Sequence, residues 1–249
     1  MNYKYLGNAL DLFKYDFITY LTRKSNAELF YIPMWTTPEK KQRDPKYALY
    51  EVGRYNTLLM DFLKKANEDN SIIQLSDVIT FLKQEGVILN YITQDINLSN
   101  SGLYIADSHA FFTGEKVFRD LYFNQACQYL LKNKNKKLIF IDPDVGIDNG
   151  TSQRFRKCPQ MYFTISELKC VLKNKGVNDM LCFFQHLGNP KKTLEQKIEE
   201  VKGHIDENII ALRYRRISMA LVIFLNKNDL YTLSKIQDYA SKYSLDFLI

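Results

Sequence analysis

Lys136 to Gly146, KKLIFIDPDVG, is the stretch on which the fold turns. A basic doublet leads into Leu138, Ile139, Phe140 and Ile141, and Asp142-Pro143-Asp144 follows. An unbroken apolar run bounded by turn residues has the pattern of a strand buried on both faces, as in a parallel sheet. Pro143 has no N–H to give to a ladder, so the strand is expected to end before it. Two carboxylates, Asp142 and Asp144, then stand at the carboxyl end of a central strand, where open α/β sheets place their ligands.

Downstream, Asp148 to Pro159 (DNGTSQRFRKCP) reads as a loop. Thr164 or Ser166 caps a helix through Lys175, which Gly176 ends. Met180 to Phe184 is a second buried strand, stopping at Gln185-His186-Leu187-Gly188. A charged amphipathic helix spans Thr193 to His204. Ile209 to Tyr214 and Met219 to Leu225 are strands joined by the basic turn Arg215 to Ser218, so they are expected to pair antiparallel. A helix near Asp229 to Tyr243 closes the chain.

Upstream, Glu115 to Leu131 has a broad apolar helical face, and Asp107 to Gly114 is a loop holding His109. Val87 to Thr93 and Leu103 to Ala106 are short β-rich runs around the polar segment Gln94 to Gly102. Tyr50 to Lys65 and Ser71 to Lys83 read as helices, and Pro38 to Lys46 as a charged, exposed loop. Glu28 to Trp35 is the first strand. Before it, Asn8 can cap a helix with Leu10, Phe13, Phe17, Ile18 and Leu21 at helical spacing, Asp11 and Lys14 lying on its other face. Alternation of strand and helix predicts an α/β fold: a mostly parallel sheet, helices on both faces, and an antiparallel hairpin at the end. The 249 residues suit one α/β domain, with residues 38–110 open to holding an inserted helical or loop portion.

A hydrophobic fraction of 46% is enough for a sizeable core and argues against disorder. The net charge of +6 is compatible with DNA or RNA as a partner without requiring one. Cys127, Cys158, Cys170 and Cys182 form no CxxC pair, which points to free thiols in a reducing compartment. The first residues lack an apolar leader, and no run approaches the roughly 20 apolar residues of a membrane span. A cytoplasmic protein with no membrane partner is the expectation. Oligomeric state has no signature in the sequence. Neither a GxSxG elbow nor a GxxxxGK[ST] phosphate loop occurs.

Two places resemble adenine-N6 methyltransferases, notably the bacterial type that modifies large-subunit ribosomal RNA. Tyr5, Gly7-Asn8, Asp11 and Lys14 are similar to that group's Gly-Asn, Asp, Lys pattern, and Ile141-Asp142-Pro143 is similar to its Asp-Pro-Pro-Tyr motif. Strand, helix, strand, helix and a closing hairpin is also how the Rossmann-like methyltransferase sheet ends. YLGNALDLFK, IDPDVG and FFQHLG together resemble a bacterial family of uncharacterised proteins. The first resemblance implies S-adenosylmethionine as cofactor and Asp142 as acceptor for an exocyclic amine. It also implies that Asp11 and Lys14 close the active site from outside the sheet. Two departures accompany it. Met34-Trp35-Thr36-Thr37-Pro38, after the first strand, has no glycine, and Asp144-Val145 replace the second proline and the aromatic residue.

Read without the resemblance, Asp142, Asp144 and His186 offer oxygen and imidazole ligands for Mg²⁺ or Mn²⁺, which could activate water against a phosphodiester. Alternatively Asp142 caps a turn, Asp144 is solvated, and Asp11–Lys14 is an intrahelical ion pair. His109 and His204 are weaker candidates. Arg154, Arg156 and Lys157 (RFRK), and Arg213, Arg215 and Arg216 (RYRR), interleave cations with Phe155 and Tyr214, which suits phosphate contact with base stacking; Lys132 to Lys137 is a third basic group. Three functions follow: a nucleic-acid-modifying enzyme on a methyltransferase-like fold, in phage defence or restriction–modification; a metal-dependent nuclease or phosphodiesterase; and a non-catalytic nucleic-acid-binding module with a degenerate cofactor site.

Overall fold

The computed structural model of the chain describes residues 9–34, 36, 52–68, 75–91, 112, 114–187, 194–202, 207–214 and 218–248. Helix α1 (Ala9–Ser25) leads into strand β1 (Glu28–Pro33). Helices α2 (Thr57–Glu68) and α3 (Leu75–Gln84) precede the short β2 (Leu89–Tyr91), and α4 (Lys116–Lys132) precedes β3 (Lys137–Asp142). Next come β4 (Gly146–Asp148), the short α5 (Gln153–Lys157), β5 (Tyr162–Thr164) and α6 (Ile165–Asn174). Then follow β6 (Met180–His186), α7 (Leu194–Lys202), β7 (Asn208–Tyr214), β8 (Met219–Leu225), α8 (Leu230–Lys242) and β9 (Asp246–Leu248).

Seven strands form one sheet in the order β2-β1-β3-β6-β8-β7-β9, and β4 pairs with β5 separately. β2, β1, β3 and β6 are parallel neighbours; β8 is antiparallel to both β6 and β7, and β9 to β7. Five of the seven strands therefore point the same way, and the α/β fold with a mostly parallel, mixed sheet is as expected. From β1 the chain goes to β2 on one side and returns to β3 on the other. The strand order reverses between β1 and β3, which makes their carboxyl ends the switch point of the sheet.

Strand alternation sorts the core into two layers. Leu29, Tyr31, Leu138, Phe140, Cys182 and Phe184 face α1, α2, α3 and α8. Phe30, Ile32, Ile139, Ile141, Leu181 and Phe183 face α4, α6 and α7. Helix α1 is buried all round from Asp11 through Thr19 and reaches solvent in its last turns, at Arg23 and Lys24. A helical stretch with no solvent face must carry its polar residues into the interior, where each needs a partner. Among the described residues, no helix is long and apolar enough to cross a membrane.

Several elements differ from expectation, each for a local reason. The helix expected from Tyr50 starts at Thr57, because Gly53 adopts φ +80 and Asn56 caps the new start by accepting from the Leu59 N–H at 3.0 Å. The stretch expected as a loop over 148–159 contains α5, capped by Ser152, and is flanked by β4 and β5. Strand β6 runs on through Gln185 and His186, which pair with Ala220 and Met219 of β8. Strand β9, absent from the expected elements, extends the sheet beyond β7. The cap Asn8, the run 103–106 and the loop 38–46 lie outside the described residues.

Candidate functional site

Asp142 ends β3 in register with Pro33 of β1, and its side chain is fully buried. It shares the strand face of Leu138 and Phe140, so it points towards α1. There the Lys14 ammonium donates to both carboxylate oxygens, at 3.0 and 3.2 Å, and the Tyr31 hydroxyl donates to Oδ2 at 2.8 Å. Lys14 also meets Asp11 at 2.9 Å, one helical turn back. The expected intrahelical pair is therefore present, but it is sealed inside the protein.

Among the described residues, two carboxylates here share one ammonium. Burial works to lower the Lys14 pKa, yet Asp11 and Asp142 outweigh it and the net shift is upwards. Burial, then Tyr31 and Asp142, push the Tyr15 hydroxyl well above its ordinary range. The Cys182 thiol is likewise pushed up, by burial first and Asp142 second. The Lys14 ammonium lies 5.0 Å from the Tyr15 ring centre and 5.7 Å from that of Phe184. An ammonium so enclosed is a fixed cation with a fixed direction.

Beyond the strand ends, a second contact closes the switch point. The Thr36 hydroxyl donates to Asp144 Oδ2 at 2.7 Å, tying the segment after β1 to the segment after β3. Met34 and Thr36 are both buried, and Tyr122 of α4 donates to the Pro33 carbonyl from the opposite layer. The methyltransferase resemblance needs a glycine turn here to let the backbone approach S-adenosylmethionine. Met34 and Thr36, buried there, with Thr36 bonded to Asp144, do not fit that cofactor.

A divalent metal fits no better. Asp142, Asp144 and His186 do not gather into a ligand set: among the described residues, no group of three or more His, Cys, Asp or Glu could hold a metal ion. Lys14 already stands where a cation on Asp142 would stand. His186 is half-buried, and its main-chain N–H donates to the Val145 carbonyl at 2.7 Å. Its neighbour Gln185 fastens the same turn, accepting from Ile147 N–H at 3.0 Å and donating to Val145 and His186 carbonyls. Gly146, at φ +125, leaves that amide its room; a Cβ there would lie 2.4 Å from Gln185 Oε1.

The basic groups divide. Arg154, Arg156 and Lys157 project from α5 into solvent, but Phe155 packs towards Tyr162 and the Arg119 guanidinium. Tyr214 is buried edge-on to Phe13. Tyr214 thus has no free face for base stacking, and Phe155 is partly covered. Arg213 lies half-buried in β7 opposite Asp246, while Arg215 and Arg216 lie outside the described residues. In the group Lys132 to Lys137, Lys137 is buried against Asp179 and Lys136 pairs with Asp229. His109, His204, Tyr5, Gly7 and Asn8 are outside the described residues.

Sequence reasoning missed Arg119 entirely. It is buried in α4, bonds Glu167 through Nε and Nη2 at 2.8 and 2.6 Å, and donates to the carbonyls of Pro159 and Tyr162. Burial pushes the Glu167 carboxyl up, although Arg119 pulls against it. This clamp anchors the β4–β5 unit, with α5 and its cations, onto the α4–α6 layer. Of its surroundings only a cap at Thr164 or Ser166 was legible; the structure shows Thr164 in a capping box with Glu167.

No protein-family model and no curated protein matches the sequence.

Proposed function

We propose that this protein binds nucleic acid from a methyltransferase-type sheet without transferring a methyl group. The antiparallel strand β8, set between β6 and β7 at the end of a parallel sheet, supports the methyltransferase type. The observation that carries the loss of transfer is the Thr36–Asp144 bond across the switch point, where a cofactor turn would have to open. Exposed Arg154, Arg156 and Lys157, on the clamped unit that follows β3, support contact with a polyanion, as does the net charge of +6.

Fluorescence anisotropy with labelled single- and double-stranded DNA and RNA, over about 50–200 mM salt, tests this. The affinity is expected to fall log-linearly with salt, and replacing Arg154, Arg156 and Lys157 with alanine to reduce the slope by about 2–3. Absence of binding at the lowest salt would overturn the proposal. Thermal unfolding with S-adenosylmethionine is expected to leave the midpoint unchanged. A stabilisation approaching about 2.7 kcal/mol at a hundredfold excess over Kd would restore methyl transfer.

One observation favours a second reading, a nucleic-acid-modifying enzyme. Lys14 and Asp142, 128 residues apart and drawn from the two stretches that resemble adenine-N6 methyltransferases, bond to each other directly. On that reading Asp142, Lys14 and Asp11 are the working groups. Label transfer from S-adenosylmethionine to nucleic acid, abolished in a folded Asp142→Asn variant, would decide for it.

A further inference from the structure

We propose that Cys127 and Cys170 are a modification site, a thiol pair that closes into a reversible disulfide joining α4 to α6. Their sulfurs stand 2.6 Å apart. Ordinary contacts between carbon atoms are about 3.5–4.0 Å, and sulfur is no smaller. A covalent S–S bond is about 2.05 Å. The two thiols are therefore in direct contact between the helices. Helices α4 and α6 pack side by side in one core layer, so the approach belongs to the fold rather than to a loop.

The chemistry balances with a peroxide as oxidant. Cys170 is half-exposed and Cys127 buried, so hydrogen peroxide reaches Cys170 first. The O–O bond breaks, an S–O bond forms on Cys170, and water leaves, giving a sulfenic acid. The Cys127 sulfur then attacks the Cys170 sulfur, the S–O bond breaks, and the thiol proton leaves with the hydroxide as a second water. The two sulfurs are oxidised together by two electrons, which the peroxide takes up. Burial, and then Cys170 itself, push the Cys127 thiol up to about 12. Its thiolate is scarce at neutral pH, so proximity rather than intrinsic reactivity drives the closing step. The bond would link the two helices that also carry the Arg119–Glu167 clamp.

Hydrogen peroxide treatment of the native protein, followed by tryptic digestion without reductant, tests the proposal. The expected product links the peptide Asp120–Lys132 to the peptide Cys170–Lys173 and has lost two hydrogen atoms. The unfolding midpoint should rise on the order of 5–10 °C, because the bond closes a 43-residue separation, and dithiothreitol should reverse both changes. Cys170→Ser should abolish link and shift together, while Cys158→Ser should leave both intact. Addition of oxygen atoms to Cys170 without a link, a link through Cys158, or an unchanged mass would each overturn the proposal.

Discussion

The two ends of β3 carry buried ion pairs of opposite character. At the amino end, Lys137 donates to the carbonyls of Asn133 and Asn135 and to Asp179. Asp179 in turn accepts from the main-chain N–H groups of Lys137 and Gly176, both at 2.8 Å. One cation faces one anion, and every partner comes from the turns that enter β3 and β6. At the carboxyl end, among the described residues, one cation faces two anions, and the cation is delivered by a helix 128 residues away. A neutral, locally satisfied pair fastens chain ends. An acceptor-rich cluster at a switch point is costlier to bury, and it is the arrangement expected of a site or its remnant.

The largest expected effect comes from removing each cation. Lys14→Met leaves Asp11 and Asp142 buried around an apolar side chain, at a cost of about 3–5 kcal/mol. Lys137→Met should cost less, about 3 kcal/mol, because Asp179 keeps two main-chain donors. The pH dependence separates them further. Because the folded pKa of Lys14 is raised, its stabilisation is complete below the unfolded value near 10.5 and is lost as pH climbs through the folded value. Lys14→Met should lack this contribution to the alkaline loss while keeping that of the buried tyrosines and thiols, among them Tyr15, Tyr122, Tyr239 and Cys182. Urea midpoints across pH measure all of this; parallel profiles for the two variants would break the comparison.

Removing the anions should reverse the ranking. Among the described residues Asp179 is the carboxylate that Lys137 meets, so Asp179→Asn is expected to cost about 2 kcal/mol. Asp142→Asn leaves Lys14 with Asp11 and relieves the excess of negative charge, so the loss should stay below about 1 kcal/mol. Equal losses would mean that the carboxyl-end cluster is as structural as the amino-end pair.

Legibility followed the range of the interactions. The buried run at Leu138 to Ile141, its stop at Pro143, the antiparallel β7–β8 pair and the Thr164 cap are local patterns, and the structure bears them out. Three-residue strands such as β4 and β5 are too short to show a period, so neither was among the expected elements. In the candidate site, the positions of Asp142, Asp11 and Lys14 were legible, but not that they meet. Nothing near Arg119 announces Glu167, and nothing near Tyr122 announces the Pro33 carbonyl. Lys137 misled most: as the last cation of a basic run it looked solvated, yet the turn before β6 reaches round to bury it.

The smallest expected effect concerns the seal itself. Thr36→Val keeps the shape of the side chain and removes the donor to Asp144. Asp144 is half-buried, so water can replace part of what it loses, and the cost should be about 1 kcal/mol. The informative readout is the unfolding midpoint with S-adenosylmethionine. If the strand ends were closed by this one bond over an otherwise competent pocket, the variant would gain a ligand-dependent shift that the parent lacks. Because Met34 and Thr36 are buried and no glycine relieves the backbone after β1, no such shift is expected. Its appearance would turn the carboxyl end of β3 from a closed remnant into a gated site.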